Sequence, residues 1–263
     1  QTEFTHLPLE TDMKQERYAI AALTDRGKCR STNQDAILTL HDSINGRECA
    51  LLAVADGMGG LQCGEHASHE MTAALSNWWN GEMEALLKAE TPFVTIGKAI
   101  SDVIYRTHVS LSEEPVHSGT TVSVVFICDD RYFTCHAGDS RIYRNCRNML
   151  FQVTTDDTWV YHAFMNGQIT ADEMKTHEYR HALVNAVGIG GQIAIQQYEG
   201  VMEDGERYLI CSDGLYNELS NERIGNILDS GGSTEERVNS LLSAVLSGPA
   251  PDNVSVVLVE QKC

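Results

Sequence analysis

No apolar run in the 263-residue sequence approaches the roughly 20 residues that a membrane-spanning helix needs, so membrane insertion is not expected. The opening QTEFTHLPLETDMKQER lacks a basic stretch followed by an apolar core. No secretory signal is read there, and a soluble, cytoplasmic protein is expected. Basic residues are scarce: 19 Lys and Arg stand against 37 Asp and Glu, a net charge of −18. No Lys/Arg cluster reverses that field locally, which argues against nucleic acid as a partner. Eight cysteines occur without a Cys-x-x-Cys pair or a zinc-like grouping. Cys128 in VVFIC and Cys211 in YLICSD lie inside apolar runs, as small buried hydrophobes do, and no disulfide framework is expected. Solenoid repeats and low-complexity tracts are also missing.

What is present is the composition of a globular protein, 42% hydrophobic and 21% charged. Residues 1–15 are polar and aperiodic and read as a loose tail; the whole of 1–263 reads as one domain. Short apolar runs predict strands at 18–24, 36–40 and 49–55. The period then changes. Ala67, Met71, Ala74, Leu75 and Trp78 recur at helical spacing, as do Phe93, Ile96, Ile100, Val103 and Ile104. Trp78 and Trp79 are expected one against a sheet and one at the rim. A hairpin is expected from 122–127 and 132–137, with 142–144 and 150–153 continuing the meander. Capping boxes at Thr170–Glu173 and Ser233–Glu236 open helices. Strands at 193–200, 207–212 and 253–259 flank helices around Ile224 and Val238. Strand runs broken by helix pairs predict an α+β fold: an αββα sandwich of two antiparallel sheets flanked by helix pairs.

One pattern carries chemistry. LLAVADG (51–57) and YLICSDG (208–214) are apolar strands ended by Asp-Gly, which places Asp56 and Asp213 at strand ends. Asp252 precedes the last strand, Asp139 follows YFTCHAG, and Asp35 precedes AILTL. A single Asp-Gly is an ordinary turn signal. Acids at several strand ends of one sandwich can instead converge on one edge, where they could not all stay ionised without cations. Hard oxygen donors suit Mg²⁺ or Mn²⁺. Two such ions can acidify a shared water and aim it at phosphorus. Arg30, five residues before Asp35, could hold phosphate oxygens with its guanidinium.

RSTNQD (30–35), AVADGMGG (53–60), SGTT (118–121), AGDSR (137–141), SDGLYN (212–217) and PDNVSVV (251–257) resemble, in order, the motifs of PP2C-type (PPM) metal-dependent phosphatases, the bacterial stand-alone members above all. The resemblance runs from about residue 18 to 260 and implies an αββα sandwich that hydrolyses phosphoserine and phosphothreonine in proteins. It implies two Mn²⁺ or Mg²⁺ ions, with a third, weaker one. Asp56 would bridge the pair, with the Gly57 carbonyl as a further ligand. Asp213 and Asp252 would complete the first ion's shell, and Asp35 would act through water or from behind. Asp139 with Asp213 would take the third ion, and Arg30 would hold the phosphate. Residues 157–182 match the family's flap beside the site. The implied partners are phosphorylated proteins and an opposing bacterial Ser/Thr kinase, with the chain acting as a monomer. Four positions depart from the wider family: Gln34 for a metal-linked Glu, Met58 for a His proposed as general acid, Asn217 for an acid near the third ion, and Asp157 for a His.

Two rivals stand beside this, apart from a simple metal-dependent hydrolase of small phosphomonoesters, since the preference for phosphoproteins rests on the resemblance alone. Cys135 to Arg141 satisfies Cys-x-x-Gly-x-x-Arg, the phosphate loop of cysteine-dependent phosphatases. That loop must join a strand to a helix N-terminus, whereas IYRN after Arg141 reads as a strand. The other rival is a phosphoprotein-binding module of the same fold with weak catalysis. His66, His69, His162 and His177 are expected as surface or helix residues, and GIGG (188–191) as a loop.

Overall fold

A computed structural model describes residues 17–59, 63–115 and 117–262. The expected tail at 1–15 and Gly60 of the GMGG turn lie outside the described residues. One sheet has the order β1 (Tyr18–Asp25), β11 (Val254–Gln261), β10 (Arg207–Cys211), β7 (Arg141–Cys146), β8 (Met149–Gln152). The other runs β2 (Asp35–Ile44), β3 (Arg47–Met58), β5 (Val122–Cys128), β6 (Arg131–Ala137), β9 (Gln196–Val201), with the short β4 (Gly119–Thr120) pairing the end of β3. The paired strands in both sheets are antiparallel.

Side-chain alternation builds the layers. Along β3, Leu51, Ala53 and Ala55 join a core with α1 (Cys63–Leu86) and α2 (Pro92–Ser112). Ala50, Leu52 and Val54 face the opposite sheet, meeting Tyr208, Ile210, Val257 and Val259. On β10 and β11, Leu209, Cys211, Val256 and Leu258 turn outward onto α6 (Asn221–Asp229) and α7 (Thr234–Leu246). Period-2 strands with both faces apolar can stack only in this four-layer order, because each face needs an apolar partner. The αββα sandwich expected from the sequence is therefore the observed architecture.

The structure differs from the sequence expectation in specific places. Residues 142–144 and 150–153 do not continue the meander in the same sheet: the chain crosses from β6 to the other sheet. Gly138, at φ +113°, makes that corner. Trp78 and Trp79 are both buried in the helix–sheet core, Trp79 edge-on to Phe126, so neither sits at a rim. Asp213 begins a one-turn helix, α5 (Asp213–Tyr216), rather than a turn. The segment 157–182 holds two helices, α3 (Trp159–Met165) and α4 (Ala171–Thr176), of which the capping box announced only the second. Among the described residues, no helix is long and apolar enough to cross a membrane.

Leu209 is fully buried between its sheet and the outer helices. Leu209→Ala is expected to lower unfolding free energy by about 2–5 kcal/mol, through lost apolar transfer plus the cavity left behind. The urea midpoint of the variant against wild type checks this.

Candidate phosphate and metal site

Antiparallel order brings the start of β2, the end of β3, the β6–β7 corner, the end of β10 and the start of β11 to one edge. Every candidate acid lies there, in or beside a cleft of about 1110 Å³ lined by Arg30, Asp56, Gly57, Asp139, Asp213 and Asp252 among others. Asp35 is buried behind it, directly opposite Asp56 in the β2–β3 register.

Neutral groups hold the aspartates in place. Thr121 N–H and Thr120 Oγ1 donate to the Asp56 carbonyl, and Asp56 N–H donates to Thr121 Oγ1. That is the structural work of the SGTT motif, and Thr121 Oγ1 meets Ser140 Oγ of AGDSR at 2.6 Å. Asp35 Oδ2 accepts from Ser212 and Ser255, each at 2.7 Å, while its buried Oδ1 has no donor among the described residues. Tyr216 hydroxyl donates to the Asp139 carbonyl at 2.8 Å. The Arg141 guanidinium lies 3.5 Å from the Tyr216 ring centroid and binds Asp156 through two nitrogens. Arg30 Nη2 donates to Asp252 Oδ2 at 2.7 Å.

Charge makes the edge unusual. Burial raises the Asp56 carboxyl well above its ordinary range, and repulsion from Asp35, Asp213, Asp139 and Asp252 adds to it. Burial is also the first cause for Asp35, pushed up to about 6, Asp139, to about 7, and Asp213, to about 8. Arg30 offsets part of this at Asp213, and Arg141 part of it at Asp139. Among the described residues, no three acid, His or Cys side chains already close on one point as a finished ligand set. The β2–β3 register and the shared cleft nevertheless place them within reach of one another's charge. The donor set fits a hard divalent cation: it is all oxygen, mostly buried, short of counter-charge, and includes an orphaned carboxylate oxygen. Asp56, Asp213 and Asp252, with the Gly57 carbonyl, could hold such ions, and Asp139 could join Asp213.

Gly57 is held tightly. A Cβ there would fall 2.0 Å from the Gly64 carbonyl oxygen at the start of α1. The segment 157–182 reaches the cleft with Lys175, Arg180 and His181, and His181 Nδ1 stands 4.0 Å from Asp213. Its base is tied by Asp157, whose carboxylate accepts from Gly138 N–H, Asn185 and Gln196. His162 lies on α3 and His177 caps α4 and stacks on Trp159, while His66 faces Glu114 on the surface. Cys135 is fully buried in mid-sheet on β6, burial pushes its thiol up to about 12, and Arg141 begins a strand. Those three facts remove the cysteine-dependent rival. The sequence motifs did not single out Thr121, Ser212, Ser255, Tyr216 or Asn253. Each stands within a quoted motif, and all but Thr121 share that motif with a candidate acid, which is the signal the sequence offers.

Residues 27–258 match the family model of protein phosphatase 2C. The chain belongs to that family. Within it, the chain is 32% identical over 242 residues to serine/threonine protein phosphatase PstP of Mycobacterium tuberculosis, covering 91% of this chain and 44% of that one. It is 30% identical over 240 residues to serine/threonine phosphatase stp of Listeria welshimeri, covering 90% of this chain and 94% of that one. The S. agalactiae serine/threonine phosphatase superposes with a TM-score of 0.84 at 27% identity, over 93% of this chain and 100% of that one. The PstP catalytic domain in complex with two manganese ions gives 0.76 at 30% identity, over 94% of this chain and 99% of that one. The chain thus spans less than half of full-length PstP.

The raised carboxyls set a sign for stability against pH. A carboxyl whose folded pKa exceeds its unfolded value, near 3.9 for Asp, favours the fold fully below that value. The contribution is lost as pH rises through about 6 for Asp35, about 7 for Asp139 and about 8 for Asp213. The thermal midpoint of metal-free protein is therefore expected to fall from about pH 5 to 8, and Mn²⁺ to restore it with an increment that grows with pH, since protons compete with the ion. Calorimetry with and without Mn²⁺ checks both slopes; a flat metal-free profile would contradict them.

Proposed function

We propose that this chain hydrolyses phosphoserine and phosphothreonine in proteins, as a metal-dependent phosphatase that opposes a bacterial Ser/Thr kinase. The observation that carries the proposal is the convergence of five aspartates and Arg30 on one edge, with carboxylates buried in excess of counter-charge. Family membership and the names of its relatives support the protein substrate class. The manganese pair in the PstP structure supports the metal.

In this proposal Asp56, Asp213, Asp252 and the Gly57 carbonyl hold two Mn²⁺ or Mg²⁺ ions, and Asp139 with Asp213 holds a third, weaker one. Bound there, the ions would supply Lewis-acid charge to the phosphoryl oxygens and acidify the attacking water. Asp35, its one oxygen fixed by Ser212 and Ser255, sits behind Asp56, and its charge raises that carboxyl's proton affinity. Arg30, half exposed at the cleft mouth, binds the incoming phosphate and fixes its orientation. Arg180, with Lys175 that also pairs with Asp172, brings positive charge to the cleft of an otherwise acidic protein, where an anionic substrate would pass. The chain acts as a single monomeric domain in the cytoplasm, with 157–182 as its movable flap.

Hydrolysis of para-nitrophenyl phosphate is expected to require Mn²⁺ or Mg²⁺ and to stop in excess EDTA. Asp213→Ala is expected to lower kcat on the order of 10²–10³-fold, as removal of one preorganised electrostatic group does elsewhere. Activity that survives EDTA would sink the metal mechanism, and none at any metal concentration would favour the binding module. Cys135→Ala is expected to keep activity within about twofold, because a buried, protonated thiol is inert.

A further inference from the structure

Asn253 follows Asp252 directly and is 5% exposed. Its side chain reaches across to the β1–β2 loop, residues 26–34, which carries Arg30. Nδ2 donates to the carbonyls of Arg26, at 2.9 Å, and Thr32, at 3.0 Å. Oδ1 accepts from the Gln34 backbone N–H at 2.9 Å. One amide therefore uses both its donors and an acceptor site on the two ends of one loop. Its own carbonyl lies against the start of α5: a Cβ at Gly214 would fall 2.0 Å from that oxygen. The residue is thus wedged between the Arg30 loop and Asp213.

Other ties share this work: Asn33 Nδ2 donates to Thr24 Oγ1 at 2.8 Å and Arg26 Nη1 to the Ser31 carbonyl at 3.3 Å. Asn253 bonds both ends from outside the loop. The near end is held by Lys28 N–H to the Ala250 carbonyl, at 2.9 Å, and by Gly27, whose φ of +71° brings it against Asp252. Arg30 itself is tethered through Asp252, and its side chain is 53% exposed. Ion pairs that open to solvent fix position weakly. The Gln34 carbonyl then passes the constraint on, accepting from Gly57 N–H at 3.1 Å and Ser68 Oγ at 2.7 Å.

We propose that Asn253 is a positioning residue: through the backbone of 26–34 it sets where the Arg30 guanidinium meets phosphate, relative to Asp56 and Asp213. This rests on the proposed role of Arg30 as the phosphate-binding arm. Alanine at 253 removes three hydrogen bonds and loosens the loop, which keeps its ties through Asn33, Lys28 and the Gln34 carbonyl. Aspartate keeps the acceptor but turns a second oxygen toward the carbonyls of Arg26 and Thr32, so it is expected to rescue little.

The test combines kinetics of the Mn²⁺-loaded protein with amide exchange of the metal-free protein. Arg30→Ala and Asn253→Ala are each expected to raise KM for para-nitrophenyl phosphate and the inhibition constant of inorganic phosphate about tenfold, with kcat changed less than about threefold. The double variant is expected to be no worse than Arg30→Ala alone, because both act through one contact. In metal-free Asn253→Ala, exchange is expected to quicken across 26–34 and at Gly57 while β5, β10 and β11 stay protected. Multiplying effects in the double variant, or faster exchange throughout the sheets, would overturn the proposal in favour of a purely structural role. If Arg30→Ala raises KM and Asn253→Ala does not, only the positioning role fails. If Arg30→Ala leaves both constants unchanged, the phosphate arm itself is wrong and the positioning role falls with it. Should Asn253→Ala not fold, the wild-type Gln34 amide decides: slow exchange supports the clasp, and exchange as fast as an open loop refutes it.

Discussion

Like charge held in a buried place is the constraint from which the rest of this structure follows. Asp35 and Asp56 stand directly opposite each other on neighbouring strands, and Asp139 and Asp213 are close enough to raise the Asp56 carboxyl further. Opposed like charges on a strand pair weaken the pair, and burial multiplies the cost. A sequence shaped for stability alone would replace some of them with apolar residues. Here the unfavourable charge is retained at the one edge where a divalent cation could cancel it, and the sandwich supplies the rigidity that keeps the acids together.

That rigidity comes from apolar layers on one side and neutral hydrogen bonds on the other. Leu51, Ala53 and Ala55 pin β3 to the helix pair, while Ala50, Leu52 and Val54 pin it to the second sheet, so the strand that ends in Asp56 cannot rotate. At its tip the fixing groups are hydroxyls and backbone amides: Thr120, Thr121, Ser140, Ser212, Ser255 and the Tyr216 phenol. Uncharged donors orient a carboxylate or its backbone without neutralising it, which leaves the charge available to a ligand. The arginine nearest the Asp139 wall, Arg141, is itself occupied by Asp156 and stacked on Tyr216, and acts there as a brace.

Much of this was legible in the sequence because it rests on local rules. Period-2 runs ending in Asp-Gly gave the strands, their burial and the edge on which the acids meet. The two capping boxes opened helices where their spacing placed them. What escaped depends on non-local geometry. The switch of sheets at Gly138 could not be read from 142–144, because a strand looks the same whichever sheet receives it. One of the two indoles was expected at a rim because adjacent positions on a helix point about 100° apart, but both are buried in the core between the helix pair and the sheet. Asp213 heading a helix escaped because a one-turn helix has no period to detect. The supporting hydroxyls escaped because Ser and Thr carry no sign in sequence of which acid, 64 to 220 positions away, they hold.

The departures from the wider family become intelligible at the level of atoms. Gln34 contributes its backbone to the site: its N–H goes to Asn253, and its carbonyl receives Gly57 and Ser68. Those bonds are made by the backbone whichever side chain stands there, while the Gln34 side chain itself donates from Nε2 to the Gly59 carbonyl at 3.5 Å and carries one negative charge fewer than a Glu. Asn217 acts the same way. Its Nδ2 donates to Asp213 Oδ2 at 3.1 Å, so a donor stands where an acid would have added to the repulsion at Asp213. Both changes lower the charge density around the central aspartates while keeping their geometry. A site altered in that direction grips its cations less strongly, and the substitutions should be felt at the second ion through Gln34 and at the third, proposed at Asp139 and Asp213, through Asn217.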